Sequence, residues 1–260
     1  MRTEREEDNC SPTRPVYCAH EGAAADTCDG FIPDEGGKGM RIGIIGAGNI
    51  GGNCAQRFIV SGKHEVKLSF SRDPANLARL AQQLGDRASV GTPLETVHFG
   101  DVVVLSVPWD VIPEALRQAG SLLGKIVIDT TNQFGSHALP HKGQTAAEFN
   151  RARMSGARYT KSFNTLTAHF QSEAADRPKE QKVVQWICGD DAEAKRVVAE
   201  LVEDAGYVPV DLGGTKSCHV MEAPRRKGAV YGEEYRAADA LAVVAALRAG
   251  RPIPPLPTYV

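Results

Sequence analysis

The chain has 260 residues, 42% of them hydrophobic and 24% charged, with a formal net charge of -2. That balance is ordinary for a globular protein with one large α/β domain, with or without a small annex. It gives no reason to expect nucleic acid or a membrane surface as partner; no apolar stretch is long enough to span a bilayer, and the polar N-terminus lacks a secretory apolar region, so the cytoplasm is the expected location.

Residues 1–39 are polar, rich in acids and end in Gly36-Gly37-Lys38-Gly39. Without a helical or strand period they read as a disordered extension. Met40 stands directly before the first strand and is taken as a real or alternative translation start, which intact-mass analysis of the native protein would check. Cys10, Cys18 and Cys28, with His20 nearby, fit no zinc spacing. Cys54 and Cys188 fall where small buried thiols are common. No metal site is expected.

The first structured segment is the most informative. Arg41-Ile42-Gly43-Ile44-Ile45 is a short apolar run that breaks into Gly46-Ala47-Gly48-Asn49-Ile50-Gly51 and then into a helical pattern with Ile50, Cys54 and Phe58 on one face. A glycine-rich turn alone is a weak signal. Between a strand and a helix it marks dinucleotide binding: Gly46 allows the tight turn, Gly48 admits a pyrophosphate to the backbone, and Gly51 lets the helix pack on the strand. The helix N-terminus then offers free N–H groups to the phosphates.

The second strand, Glu65 to Phe70, runs into Ser71-Arg72-Asp73-Pro74. An NAD site usually has an acid here for the ribose hydroxyls. A hydroxyl beside a permanently charged guanidinium suits a 2′-phosphate instead, so NADP is preferred over NAD. Asp73 and Pro74 read as N-cap and first residue of the next helix, over Asp73 to Leu84. Ser71 and Arg72 also remain readable as plain solvated loop residues.

Further along, Ala88-Ser89-Val90 is a short strand and Thr92-Pro93 starts a helix. Asp101 to Val107 is a continuous apolar run, as in a central parallel strand. A helix follows with Val111, Ile112, Leu116 and Ala119 inward, then the strand Lys125 to Asp129. The polar stretch Thr130 to Gly143 contains Asn132, Ser136, His137 and His141. A helix over Ala146 to Met154 and a strand over Tyr159 to Phe163 come next, and Thr167 to Gln181 reads as a long loop or weak helix. Val183 to Cys188 is a strand, Asp191 caps a helix to Asp204, and Tyr207 to Asp211 is a strand interrupted by Pro209, hence at an edge. A last helix spans about Ala237 to Leu247. The expected fold is a Rossmann-type doubly wound, mostly parallel sheet with extra C-terminal strands and helices: one NADP-binding domain over 40–260, with an annex from about 207.

With these residues placed, the chain resembles the NADPH:coenzyme F420 oxidoreductase family and the related cytosolic domain of six-transmembrane metalloreductases. The resemblance covers about Met40 to Glu222. It rests on the glycine turn, Ser71-Arg72, Ser106-Val107-Pro108-Trp109, Asp129-Thr130-Thr131-Asn132 and Lys161-Ser162-Phe163-Asn164-Thr165, in that order. Cys188-Gly189-Asp190-Asp191 and Val210-Asp211-Leu212-Gly213 are similar too.

The resemblance implies NADP as cofactor, coenzyme F420 or a flavin as co-substrate, and Ser71 and Arg72 on the 2′-phosphate. Where some members carry a further basic residue this chain has Asn76, with Arg79 the nearest substitute. Val107, Pro108 and Trp109 would wall the nicotinamide ribose, or Trp109 would be core packing. Asn132 and Asn164 would offer amide bonds to ribose or nicotinamide, or cap loops. Arg225, Arg226 and Lys227 would meet an acidic cofactor tail, or form a solvated face.

The expected activity is direct hydride transfer between NADPH and a planar small-molecule acceptor. It needs no acid–base dyad: His64, His98, His137, His141, His169 and His219 are scattered, none is read as paired with an acid at a strand end, and Cys218-His219 reads as packing plus surface. Two alternatives stay open. One is an NADP-dependent imine or β-hydroxyacid reductase, for which little chain remains after Asp211. The other is an NADP(H)-binding redox sensor without turnover. A homodimer is compatible with either.

Overall fold

The computed structural model describes residues 39–134 and 143–259. The extension with Cys10, Cys18 and Cys28, and the loop residues Ser136, His137 and His141, lie outside the described residues.

The strands are β1 Arg41–Ile45, β2 Glu65–Ser69, β3 Ala88–Val90, β4 Val102–Leu105, β5 Ile126–Asp129, β6 Arg158–Lys161, β7 Val184–Gly189 and β8 Val208–Gly213. The helices are α1 Asn49–Val60, α2 Pro74–Leu84, α3 Pro93–Phe99, α4 Ile112–Ala119, α5 Ala146–Arg153, α6 Ala168–Ala174, α7 Ala192–Asp204 and α8 Ala237–Arg248.

All eight strands join one sheet in the order β3-β2-β1-β4-β5-β6-β7-β8. Every pair is parallel except β6 with β7. The chain winds outward from β1 through β2 and β3, then crosses back to β4. The order therefore reverses between β1 and β4, and ligands of such sheets bind outside the carboxyl ends of the strands at that point. The annex strand β8 continues the same sheet, and Pro209 lies on this outermost strand, the edge where a missing N–H is tolerated.

Apolar side chains alternate between the faces. Ile42, Ile44, Val104 and Ile128 pack with Phe58 of α1 on one side. Ile45, Val103, Leu105, Val127 and Trp186 pack on the other. Helix starts follow their caps. The Asp73 carboxylate accepts from Ala75 and Asn76 N–H at 3.0 and 3.4 Å. Thr92 and Glu95 form a capping box, as do Thr145 and Glu148. Asp191 caps α7 while Arg158 grips it with two bonds of 2.6 and 2.9 Å, which hold its carboxyl down at about 2.

Three local expectations change, and one open alternative resolves. Strand β4 stops at Leu105, and the chain from Ser106 to Pro108 leaves the sheet to enter the tight turn at Trp109. Val111 is exposed, since it closes a tight 3₁₀ turn at Trp109–Val111 whose pitch rotates it away from the Ile112–Ala115–Ala119 face. Part of the stretch from Thr167 to Gln181 is a regular helix: Thr167 caps α6, and buried Gln171 and Ala174 give it an inward face.

His64 does have an acid partner. Its Nδ1 accepts from Met40 N–H at 3.2 Å, and its Nε2 lies 3.2 Å from Asp204 Oδ2. That pairing sits beside the start of β2, at the opposite end of the sheet from the crevice. It ties the chain entering β1 to the end of α7 and takes no part in a reaction site.

Candidate nucleotide-binding and hydride-transfer site

The three glycines differ in what surrounds them. Gly46 has φ +98°, and a Cβ there would meet Ser106 O at 2.3 Å. A Cβ on Gly51 would meet Gly46 O at 2.0 Å. A Cβ on Gly48 would meet nothing within 4 Å. The turn is thus closed below Gly46 and Gly51 and open in front of Gly48. Helix α1 has no side-chain cap and no acid in its first turn, so its N–H groups at Asn49, Ile50 and Gly51 are left for an anion. Gly51→Ala is expected to cost about 1–3 kcal/mol by overpacking, read by thermal unfolding; unchanged stability would show that helix and turn can separate freely.

At the end of β2 the backbone is strained: Phe70 has φ +57°. The turn it creates presents Ser71 and Arg72, both exposed. The Ser71 hydroxyl donates to Asp73 O at 2.9 Å and accepts from Asp73 N–H at 3.1 Å. Arg72 makes no hydrogen bond or ion pair among the described residues. The Asp73 carboxylate is occupied with the α2 cap and with Asn76 Nδ2 at 2.6 Å. Arg79 donates to Asn76 Oδ1. One guanidinium with no partner among the described residues therefore stands beyond the glycine turn, with a second, tethered to Asn76, about two helical turns later.

After β4, Val107 is buried and Pro108 exposed on the crevice rim. Trp109 turns inward, with 6% exposure; its ring lies 6.1 Å from that of Phe149, and the Arg153 guanidinium sits over both. The structure thus gives the indole the packing role, between α4 and α5.

Asn132 and Asn164 meet across the ends of β5 and β6. Asn132 Nδ2 donates to Asn164 O at 2.8 Å, and Asn164 Nδ2 donates to Asn132 Oδ1 at 3.1 Å and Met221 O at 2.7 Å. Ala223 N–H also donates to Asn132 Oδ1 at 3.2 Å. The pair locks two strand-end loops to the annex. Asn164 is 3% exposed, yet its Oδ1 has no partner. A second strained residue, Phe163 with φ +57°, precedes it and is anchored edge-on between Phe58 and Tyr207. The two non-glycine residues with positive φ among those described thus both sit at crevice strand ends.

Beneath this end lies a cluster the sequence reading missed. Lys161 and Asp129 are fully buried neighbours in register on β6 and β5, with Nζ to Oδ2 3.4 Å apart. Lys161 also donates to Thr131 O at 2.6 Å. Asp129 accepts from Tyr159 Oη at 2.6 Å, Asn150 Nδ2 at 2.9 Å and Thr131 N–H at 2.8 Å. Burial opposes the charge on Asp129, but Lys161 and these donors outweigh it and hold the carboxyl below its usual range. Glu222 lies alongside, accepting from Ala146 and Ala147 N–H at the start of α5 at 2.9 and 2.8 Å. The available signal was a lysine in an otherwise buried strand beside a strand ending in aspartate.

The basic cluster is largely spent locally. Arg225 pairs with Glu233, and Arg226 donates to Glu222 O and Pro224 O; Lys227 is exposed. Cys218 is buried and His219 exposed, as expected.

A doubly wound sheet, a glycine turn at its switch point and an uncapped helix behind it define a Rossmann-type dinucleotide-binding protein. Comparison shows what the chain resembles within that class: residues 41–133 match the model of the family described as NADP oxidoreductase, coenzyme F420-dependent. The chain is 30% identical to metalloreductase STEAP3 of Rattus norvegicus over 195 residues, 75% of this chain and 38% of that protein. It is 24% identical to the F420-dependent NADP reductase of Methanocaldococcus jannaschii over 201 residues, 71% of this chain and 88% of that one. The crystal structure of protein SMa0349 from Sinorhizobium meliloti superposes with a TM-score of 0.67 at 28% identity, covering 76% of this chain and 96% of that one. The chain spans well under half the length of the metalloreductase it matches. The resemblance drawn from the motifs is borne out: the matches include a metalloreductase and an F420-dependent NADP reductase. Among the described residues, no helix is long and apolar enough to cross a membrane.

Proposed function

We propose that this chain binds NADPH along the carboxyl edge of the sheet and passes its hydride to a planar acceptor, coenzyme F420 or a flavin. The observation that carries the reading is the free Arg72 guanidinium beside an open glycine turn. When bound, the dinucleotide supplies the hydride chemistry. The residues supply placement. Arg72, with the Ser71 hydroxyl beside it, holds the 2′-phosphate. Gly48 and the N–H groups of Asn49, Ile50 and Gly51 receive the pyrophosphate. Val107 and Pro108 flank the ribose, with Trp109 buttressing that wall from inside the core. The orphaned Asn164 Oδ1 accepts from the nicotinamide carboxamide, and Asn132 fixes the Asn164 side chain for that role.

No proton need be moved by the protein, which fits a crevice end where the ionised pair at the strand ends, Asp129 with Lys161, is buried. Mixing the protein with oxidised coenzyme F420 and either NADPH or NADH, while following F420 absorbance, tests the reading. Rapid bleaching with NADPH alone supports it. Tight NADPH binding with no turnover on F420 or any flavin would contradict it and favour a non-enzymatic NADP(H) sensor.

A further inference from the structure

An open cleft of about 450 Å³ runs between α1 and α6. Asn49 lines its near end and also belongs to the glycine turn, while Gln56 lies two helical turns further along α1. Thr167, His169 and Ser172 line the opposite wall. Thr167 comes three residues after Asn164, so the α6 wall of the cleft begins just beyond the strand end that carries the orphaned amide oxygen.

The cleft is firmly built. Asn53 Nδ2 donates to Gln171 Oε1 at 3.3 Å, and the Ser172 hydroxyl donates to Asn53 Oδ1 at 2.7 Å. Gln171 in turn donates to Phe163 O and Leu166 O at 3.1 and 2.9 Å. These bonds fix the distance between the helices, so the walls are preorganised.

The chemistry of the lining is specific. Its polar groups are carboxamides, hydroxyls and one imidazole, set beside the apolar Ala168, with no lysine, arginine or carboxylate. Two ion pairs flank it, His169 of the lining with Glu173 at 3.3 Å and, outside the lining, Arg57 with Asp176 at 2.8 Å. Neutral groups that both donate and accept match a chain of alcohols, which also donate and accept. A phosphate would call for the fixed positive charge that this lining lacks.

We propose that the cleft binds a neutral polyhydroxylated chain on the hydride acceptor, of the ribityl kind, while the acceptor's ring lies at the Asn132–Asn164 end. The inference rests on the hydride-transfer reading above for the identity of the ligand. Its test uses binding, so the two can fail separately.

Riboflavin, FMN and lumiflavin share a ring and differ in the tail: ribityl, ribityl phosphate and methyl. Their dissociation constants are measured on the full chain saturated with NADP. Riboflavin is expected to bind about tenfold more tightly than lumiflavin, and FMN about as well as riboflavin. The double variant Gln56→Ala/His169→Ala changes two exposed side chains outside the core. It should bring the riboflavin-to-lumiflavin ratio close to one and leave NADPH affinity unchanged. Equal binding of riboflavin and lumiflavin to the wild type would overturn the proposal, as would an unchanged ratio in the variant. FMN binding tenfold above riboflavin would overturn the assignment to a neutral chain. A missing hydride transfer with this binding pattern intact would instead remove the enzymatic reading.

Discussion

Replacing Lys161 with methionine is expected to destabilise the protein by about 3–5 kcal/mol, because it strands a carboxylate in the interior. Lys161 and Asp129 are both fully buried, 3.4 Å apart, and Asp129 has no route to water. Chemical denaturation at neutral pH reads the effect; a loss under about 1 kcal/mol would mean that the hydrogen bonds from Tyr159, Asn150 and Thr131 stabilise Asp129 without its cation. The double variant Asp129→Leu/Lys161→Met should recover part of the loss, since it removes the stranded charge but leaves those donors unmatched. The pH dependence has a defined sign. A carboxyl held below its unfolded value contributes stability that is complete above about pH 4 and is lost as the pH falls through the lower folded value. In the Lys161 variant Asp129 is instead pushed towards the neutral form. The gap between wild type and variant should therefore narrow on acidification from the raised pKa of Asp129 in the variant, already above pH 4, down to its lowered pKa in the wild type.

The second large effect is on cofactor choice. Arg72→Ala should weaken NADPH by about 1.5–3 kcal/mol, the range for a charge-assisted hydrogen bond, and leave NADH nearly unchanged. Arg72 is exposed and has no hydrogen-bond or ion-pair partner among the described residues, so the substitution removes no such bond there. Fluorescence titration with both nucleotides measures it. Equal losses would place the 2′-phosphate elsewhere, with Arg79 the next residue to change, since it stands one turn beyond Asn76 on α2 and donates to it.

Local chemistry was what the sequence displayed best. The glycine turn, the Asp73 and Asp191 caps and the edge position of Pro209 each follow from a residue and its immediate neighbours. The unbroken apolar β4 likewise announced a central strand, although where it would stop depended on the crevice above it.

Pairings across the sheet were hidden. Asp129 and Lys161 are 32 positions apart and become neighbours only through the β5–β6 register. Asn132 and Asn164 were each placed at the crevice, but their mutual bonds depend on two loops meeting a third segment near Met221. The left-handed conformations of Phe70 and Phe163 contradict the usual preference of bulky residues. At Phe163 the aromatic contacts of the core offset that cost, and these are visible only once the helices are in place. Trp109 was undecidable for the same reason: its burial depends on Phe149 and Arg153, from a helix that follows the next strand.

The central claim is direct transfer of a hydride within one ternary complex. It is tested most directly with NADPH deuterated at the reactive C4 position and coenzyme F420 as acceptor, followed by mass analysis of the reduced acceptor. The ring carbon that receives the hydride in a deazaflavin does not exchange with water. The account predicts that the reduced acceptor carries the deuterium. Reduced acceptor without the label, formed at the same rate, would contradict it.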